Sequence, residues 1–408
     1  MIAKIIAPKQ PIRATINLPA SKSLSNRALI IRALSGENFN IENLSEAEDT
    51  KVLLKALSSN EKTIDVGAAG TAMRFLTAYF AVGNEEKILT GNERMKQRPI
   101  APLVDALKIL GADIEYIEKV GFLPLRIKGE KLTGNKVEVD GTVSSQYLSA
   151  LLMIAPVLPN GLTITIKGNL VSKPYVKMTI ALMELFGVNA IWKENTIEIP
   201  KQKYSGNTFS IEPDWSAVAF WYSVVALSKD AEITLTGLQK NSLQGDSVLP
   251  ELMKNFGVET EFIIKGITLT KSQITNRKSK IKIDFTNFPD LAQNITVLAA
   301  ALDMEIEFTG IENLRVKETD RISALQNELK KFGKEFIKDG RNYILEGEFA
   351  PSEQTVATYD DHRMVMAFAP LAIVCPNISL QNPETVKKSY PNFWEDLNFC
   401  DFTVTSDK

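Results

Sequence analysis

Apolar and polar positions alternate along this chain in two recurring patterns. In the first, a small polar turn opens onto an apolar stretch rich in alanine and leucine. The turns lie at residues 20–23, 67–71, 141–146, 212–216, 287–290 and 359–363, and the apolar stretches at 28–34, 75–82, 147–157, 218–227, 295–302 and 364–374. The spacing predicts a helix after each turn. In the second pattern an amphipathic segment ends in glycine, at Gly111, Gly187, Gly257 and Gly333. A helix that must reverse into the left-handed conformation stops at such a residue. Short alternating segments follow, such as 188–192 with 196–199 and 258–263 with 267–269, and these predict strand pairs. Residues 49–59 form an earlier copy without the glycine, and 391–399 a truncated last one.

The repeating unit is therefore strand, helix, strand, helix, strand pair. It recurs six times at about 70-residue spacing, above the usual solenoid periods. A chain of 408 residues exceeds one compact core, so six units divide into two domains of three. The first helix of each unit exposes unpaired N–H groups and the positive end of its dipole, which attract anions. If these ends converge, the space between the domains becomes a polyanion site.

Composition narrows the chemistry. The formal net charge of -2 gives no electrostatic reason for a nucleic-acid partner. Two cysteines, Cys375 and Cys400, make no disulfide framework and lack zinc-ligand spacing, which suits a reducing cytoplasm. Residues 1–20 carry charges and prolines where a signal peptide needs an apolar run, and no stretch is long enough to span a bilayer. His362 is the single histidine, so a histidine-based metal site is nearly excluded.

Ser21-Lys22-Ser23-Leu24-Ser25-Asn26-Arg27 is the strongest motif. On a helix Ser23 and Arg27 stand one turn apart on one face with Lys22 at the mouth, a set suited to phosphate or carboxylate. Serine capping with solvated charges is the bland alternative. Gly67-Ala68-Ala69-Gly70-Thr71 lacks the Lys-Ser/Thr ending of a nucleotide-binding loop, but permits close backbone approach to a small anion. Arg94, Lys96 and Arg98 precede a helix that Pro99 can open. Ser144-Ser145-Gln146 and Ser172-Lys173-Pro174-Tyr175 offer hydroxyls at helix starts. Lys317, Glu318 and Arg321 place a carboxyl among cations, an arrangement able to move protons. Asp290, Asp360-Asp361-His362-Arg363 and Lys387-Lys388 complete the set.

Five of these motifs, in order along the chain, resemble the 5-enolpyruvylshikimate-3-phosphate synthase family: 18–27, 70–74, Ser144-Ser145-Gln146, 317–321 and 361–364. The resemblance implies an α/β fold of two similar domains, each of three βαβαββ units. It places one domain at 18–212 and the other at 1–17 with 213–408, the active site lying in the cleft between them. Shikimate 3-phosphate is assigned to Lys22, Ser23, Arg27, Ser144, Ser145, Gln146, Ser172, Tyr175, Asp290, Asn313 and Lys317. Phosphoenolpyruvate is assigned to Lys22, Gly70, Arg98, Gln146, Arg321, Arg363 and Lys388. Ala68 and Phe75 depart from the family pattern, where asparagine and proline are common.

The activity implied is transfer of an enolpyruvyl group from phosphoenolpyruvate to shikimate 3-phosphate with loss of phosphate, by a monomer, without metal or organic cofactor. Asp290 is implied as base toward the hydroxyl, with Glu318 and Lys22 moving protons at C3. The resemblance also implies competition by glyphosate. A related transferase acting on UDP-N-acetylglucosamine typically uses a cysteine in the first domain, and here both cysteines follow residue 370. A non-catalytic anion-binding protein on the same scaffold is the other alternative.

Overall fold

Short β-rich segments on either side of an apolar helix fold into a parallel strand pair, because only a crossover of a dozen or more residues can join parallel strands. Thr63–Asp65 and Glu86–Thr90 pair in this way across the helix Gly70–Ala81. A second helix, Ala101–Ile109, then leads to a hairpin. Its strand Leu125–Lys128 pairs antiparallel with Glu86–Thr90, and Asp113–Tyr116 takes the edge. The same order recurs for Lys136–Asp140, Leu162–Lys167, Thr196–Ile199 and Ile191–Lys193, and for Ile281–Asp284, Ile306–Thr309, Asn342–Glu346 and Glu335–Asp339.

The computed structural model describes residues 1–274 and 280–407. The chain divides into two compact units: Ala20–Ile211, and Met1–Pro19 together with the chain from Glu212 onward.

In the second of these units the chain start completes two sheets. Ile12–Ile16 lies parallel to Ala231–Thr236, and Ile2–Ile6 lies antiparallel between Ile378–Gln381 and Thr403–Asp407. The first repeat is reduced. Its parallel pair, Ile41–Glu42 with Phe209–Ser210, is two residues long. Only the polar segment 59–62 separates the helix Glu48–Ser58 from the next strand, so no hairpin fits there.

Three helices fill the centre of each unit. In the unit Ala20–Ile211 they are Lys22–Ser35, Gly70–Ala81 and Ser145–Ile154. In the other they are Trp215–Leu227, Ala292–Ala301 and His362–Phe368. Trp215–Leu227 is buried on every face except at Ser216, as an all-round apolar sequence requires. Its few polar groups are paired: Asn294 donates to Ala219 O at 2.8 Å, and Ser223 donates to Asn294 Oδ1 at 3.2 Å.

The four cap glycines adopt positive φ, from 70° at Gly257 to 104° at Gly111. One boundary differs from expectation. Pro99 precedes the helix Ala101–Ile109 rather than opening it, and Pro102 occupies the first turn. The Pro99 carbonyl is instead held by side chains, as described below. Among the described residues, no helix is long and apolar enough to cross a membrane, and no group of three or more His, Cys, Asp or Glu side chains is placed to hold a metal ion.

Candidate active site

The unit Ala20–Ile211 carries its candidate residues at helix openings. Ser21 caps the helix Lys22–Ser35, accepting from Leu24 N. Lys22 lies in its first turn, with Nζ 3.1 Å from Oδ2 of the buried Asp49. One turn further in, Arg27 is 2% exposed. Its Nε donates to Thr179 Oγ1 at 2.7 Å, Nη2 to Ser149 Oγ at 3.1 Å and Nη1 to Ser23 O at 2.9 Å. Burial lowers the Arg27 pKa to about 10, which leaves it charged at neutral pH.

Ser149 lies one turn beyond Ser145, and Thr179 one turn beyond Tyr175. Arg27 therefore draws together the openings that carry Ser23, Ser145 and Tyr175. Ser172, just before the third of these helices, holds φ at 55° with no cap hydrogen bond from its side chain. A non-glycine residue in that conformation is strained, and such strain concentrates at functional positions.

A second cluster gathers at the opening of Gly70–Ala81. Gln146 Nε2 donates to Thr71 Oγ1 at 3.1 Å. The buried guanidinium of Arg98 lies against Gly70, where an added Cβ would come within 2.8 Å of Arg98 Cζ. Two side chains fix the segment that carries Arg98. Arg74 Nη2 donates to Pro99 O at 3.4 Å, and Tyr147 donates to the same carbonyl at 2.6 Å. Ser144 caps its own helix, accepting from Gln146 N at 3.3 Å.

The other unit concentrates charge around Arg321, which is 1% exposed. Arg321 Nε donates to Asp361 Oδ2 at 2.7 Å, Nη2 to Glu318 Oε2 at 2.8 Å, and Nη1 to Asp290 Oδ1 at 3.1 Å. Burial opposes this charge, but Asp361, Glu318 and Asp290 outweigh it and raise the Arg321 pKa. Asp290 also faces Lys317 Nζ at 3.4 Å and Arg363 Nη2 at 3.2 Å. Dehydration pushes the Asp290 pKa up, yet Arg363, Lys317 and Arg321 together hold it far below the usual carboxylate range. Lys388 Nζ is 3.8 Å from Glu318 Oε1. Asn313 sits in the helical turn Glu312–Val316, just before Lys317.

Sequence patterning missed several members of these clusters. Thr179 and Ser149 were concealed within apolar helices, although each follows a recognised residue by one turn. Asp49 lies in a helix whose pattern promised only packing. Asp246 is buried and accepts a short hydrogen bond from Ser216, while Arg363 Nη2 lies 3.4 Å from Ser216 Oγ. Burial, then the negative charge of Asp290, push the Asp246 pKa up to about 6, against the opposing pull of Arg363. Its one signal was the turn Gln244-Gly245-Asp246 outside any apolar period.

Each unit thus presents buried cations, hydroxyls and helix openings at a concentration that stability alone does not require. Such a set is chemically suited to several anionic groups, and carboxyls among cations, as at Asp290 and Glu318, are suited to moving protons.

Comparison with known proteins agrees with this chemistry. The family model described as EPSP synthase (3-phosphoshikimate 1-carboxyvinyltransferase) matches residues 6–61 and 54–397. A 3-phosphoshikimate 1-carboxyvinyltransferase of Bacteroides fragilis is 48% identical over 403 residues, covering 98% of this chain and 97% of that protein. One from Vibrio campbellii is 35% identical over 422 residues, covering 96% and 98%. The solved EPSP synthase of Acinetobacter baumannii shares the fold with a TM-score of 0.77 across 100% of both chains, at 22% identity.

Proposed function

The chain belongs to the EPSP synthase (3-phosphoshikimate 1-carboxyvinyltransferase) family, and on that premise we propose that it transfers the carboxyvinyl group of phosphoenolpyruvate to the 5-hydroxyl of shikimate 3-phosphate, releasing phosphate. The observation that carries the reading is Asp290 held among Lys317, Arg321 and Arg363. A carboxylate in that company is fully ionised but weakly basic. Anionic substrates that pair with the same cations neutralise part of their charge, and the carboxylate regains affinity for a proton. Asp290 thus becomes a base when the substrates are in place.

The chemistry balances in two steps. Asp290 takes the proton of the 5-hydroxyl as its oxygen forms a bond to C2 of phosphoenolpyruvate, and C3 receives a proton. The resulting tetrahedral adduct then loses a C3 proton, the C2–C3 double bond re-forms, and the C2–O bond to phosphate breaks. Glu318 and Lys22 exchange the protons at C3, with Lys388 beside Glu318. Arg98, Arg321 and Arg363 take the phosphate and carboxylate of phosphoenolpyruvate. Lys22, Ser23, Arg27, Ser144, Ser145, Gln146, Ser172, Tyr175, Asn313 and Lys317 take shikimate 3-phosphate.

Phosphate release from the purified protein tests the proposal. Phosphate is expected only when phosphoenolpyruvate and shikimate 3-phosphate are both present. Turnover with UDP-N-acetylglucosamine in place of shikimate 3-phosphate would overturn it, as would binding of both substrates without turnover.

A further inference from the structure

The segment that presents Asp361 and Arg363 is a turn with an unsuitable residue, Tyr359, in one of its two central positions. Tyr359 and Asp360 both have positive φ, 56° and 53°, and Asp361 N bonds back to Thr358 O at 2.9 Å. A turn with two left-handed central residues ordinarily uses asparagine, aspartate or glycine, and a bulky aromatic there is an outlier. Such a conformation persists only when its surroundings over-determine it.

Three side-chain tethers do so. Thr358 Oγ1 donates to Gln381 O at 2.8 Å, and Asn382 Nδ2 donates to Asp360 Oδ1 at 2.7 Å. The third comes from the helix Arg321–Lys330. Glu328, 2% exposed, accepts from the Tyr359 hydroxyl at 2.8 Å through Oε1 and from Ala357 N at 3.0 Å through Oε2. Asn327 Nδ2 adds a contact to the same hydroxyl at 3.4 Å, and Lys331 Nζ bonds Glu328 Oε2 at 2.6 Å. Burial raises the phenol pKa, so Tyr359 remains a donor.

Arg321 opens this helix, and Glu328 follows it by two turns. One helix therefore grips the turn from both ends: Glu328 holds Tyr359, and Arg321 holds Asp361. Asp361 in turn caps the next helix, accepting from Arg363 N at 2.9 Å. We propose that Glu328 and Tyr359 form a latch that positions Asp361, and through it Arg321 and Arg363, to receive the anionic groups of phosphoenolpyruvate. This rests on the functional reading above. Neither Glu328 nor Tyr359 touches substrate in this scheme; both are positioning residues.

Releasing the latch lowers the fraction of molecules with both arginines in place, and the apparent constant for their ligand rises in proportion. The test is steady-state kinetics of Tyr359→Phe and Glu328→Gln with each substrate varied, beside thermal unfolding. Tyr359→Phe is expected to raise the phosphoenolpyruvate KM roughly threefold to tenfold, with kcat and the shikimate 3-phosphate KM within about twofold. Glu328→Gln keeps one acceptor oxygen, which can serve Ala357 N while the amide NH2 donates to the phenol oxygen, and is expected to fall between Tyr359→Phe and the parent protein. A folded Tyr359→Phe with unchanged phosphoenolpyruvate KM, or with both KM values raised alike, overturns the latch.

Calorimetric binding of inorganic phosphate provides a readout independent of turnover. Absence of turnover in the parent protein sinks the functional reading alone; weaker phosphate binding by Tyr359→Phe then still supports the latch, and equal binding removes it.

Discussion

Asp290 Oδ1 accepts from Arg321 Nη1 at 3.1 Å, and the same oxygen lies 3.4 Å from Lys317 Nζ. The carboxylate proposed to take a proton is thus held firmly ionised by the cations around it. Replacing it with asparagine keeps the shape and removes the base. Asp290→Asn is expected to lose about 10²–10⁴ in turnover while still binding phosphoenolpyruvate. Stopped-flow detection of bound substrates, alongside phosphate release, checks this. Near-normal turnover by a folded variant would remove Asp290 from the role.

Asp246 gives a stability prediction with a definite sign. Its folded pKa is raised from 3.8 to about 6, so between those values the folded chain binds more protons than the unfolded chain. Stability from this group is fully present below the lower value and is lost as pH rises through the upper one. The loss is about 3 kcal/mol at most. Asp290, Asp214, Arg363 and Ser216 are the groups that influence it. Asp246→Asn removes the dependence. Urea unfolding of variant and parent should show the stability difference moving in favour of the variant between about pH 4 and pH 7.5. A difference constant with pH would mean that Asp246 does not titrate in that range.

The network around Arg27 predicts a selective defect. Thr179→Val preserves shape but leaves Arg27 Nε without its buried acceptor, which costs about 1–3 kcal/mol. The guanidinium must then move, and the shikimate 3-phosphate KM should rise about tenfold, with a smaller change for phosphoenolpyruvate. Equal effects on the two substrates would show that Thr179 supports the unit as a whole rather than Arg27.

What the sequence disclosed follows from locality. The helix openings and the cap glycines Gly111, Gly187, Gly257 and Gly333 depend on a few adjacent residues, so apolar periodicity exposed them. Arg27 with Ser149 and Thr179 joins residues more than 100 positions apart. Nothing in local composition distinguishes these hydroxyls from ordinary helix residues. The pairing of Ile2–Ile6 with Ile378–Gln381 and of Ile12–Ile16 with Ala231–Thr236 is likewise a tertiary outcome that apolar periodicity does not carry; the family resemblance alone joined 1–17 to the later domain. Asp246 escaped because a buried acid in a turn has no periodic signature.

Gly70→Ala is the last prediction, and the structure supplies its mechanism. A Cβ at Gly70 meets the Arg98 guanidinium, 2.8 Å from Cζ and 2.9 Å from Nη2, and no backbone atom is among its nearest neighbours. The end of a long side chain can yield, so the fold should survive and Arg98 should shift. Gly129 offers the contrast. There a Cβ would meet the Gly83 carbonyl carbon and oxygen, both at 2.5 Å, and backbone cannot yield cheaply. Gly129→Ala should therefore lower the melting temperature and alter the two substrates alike. Gly70→Ala should keep its melting temperature and raise the phosphoenolpyruvate KM. Glyphosate, longer than phosphoenolpyruvate and expected at the same cations, should lose more affinity than the substrate, because less room remains beside a displaced guanidinium. Inhibition curves at several phosphoenolpyruvate concentrations, together with thermal unfolding of both variants, decide the matter. Unchanged phosphoenolpyruvate and glyphosate constants in Gly70→Ala would separate Arg98 from the anion site.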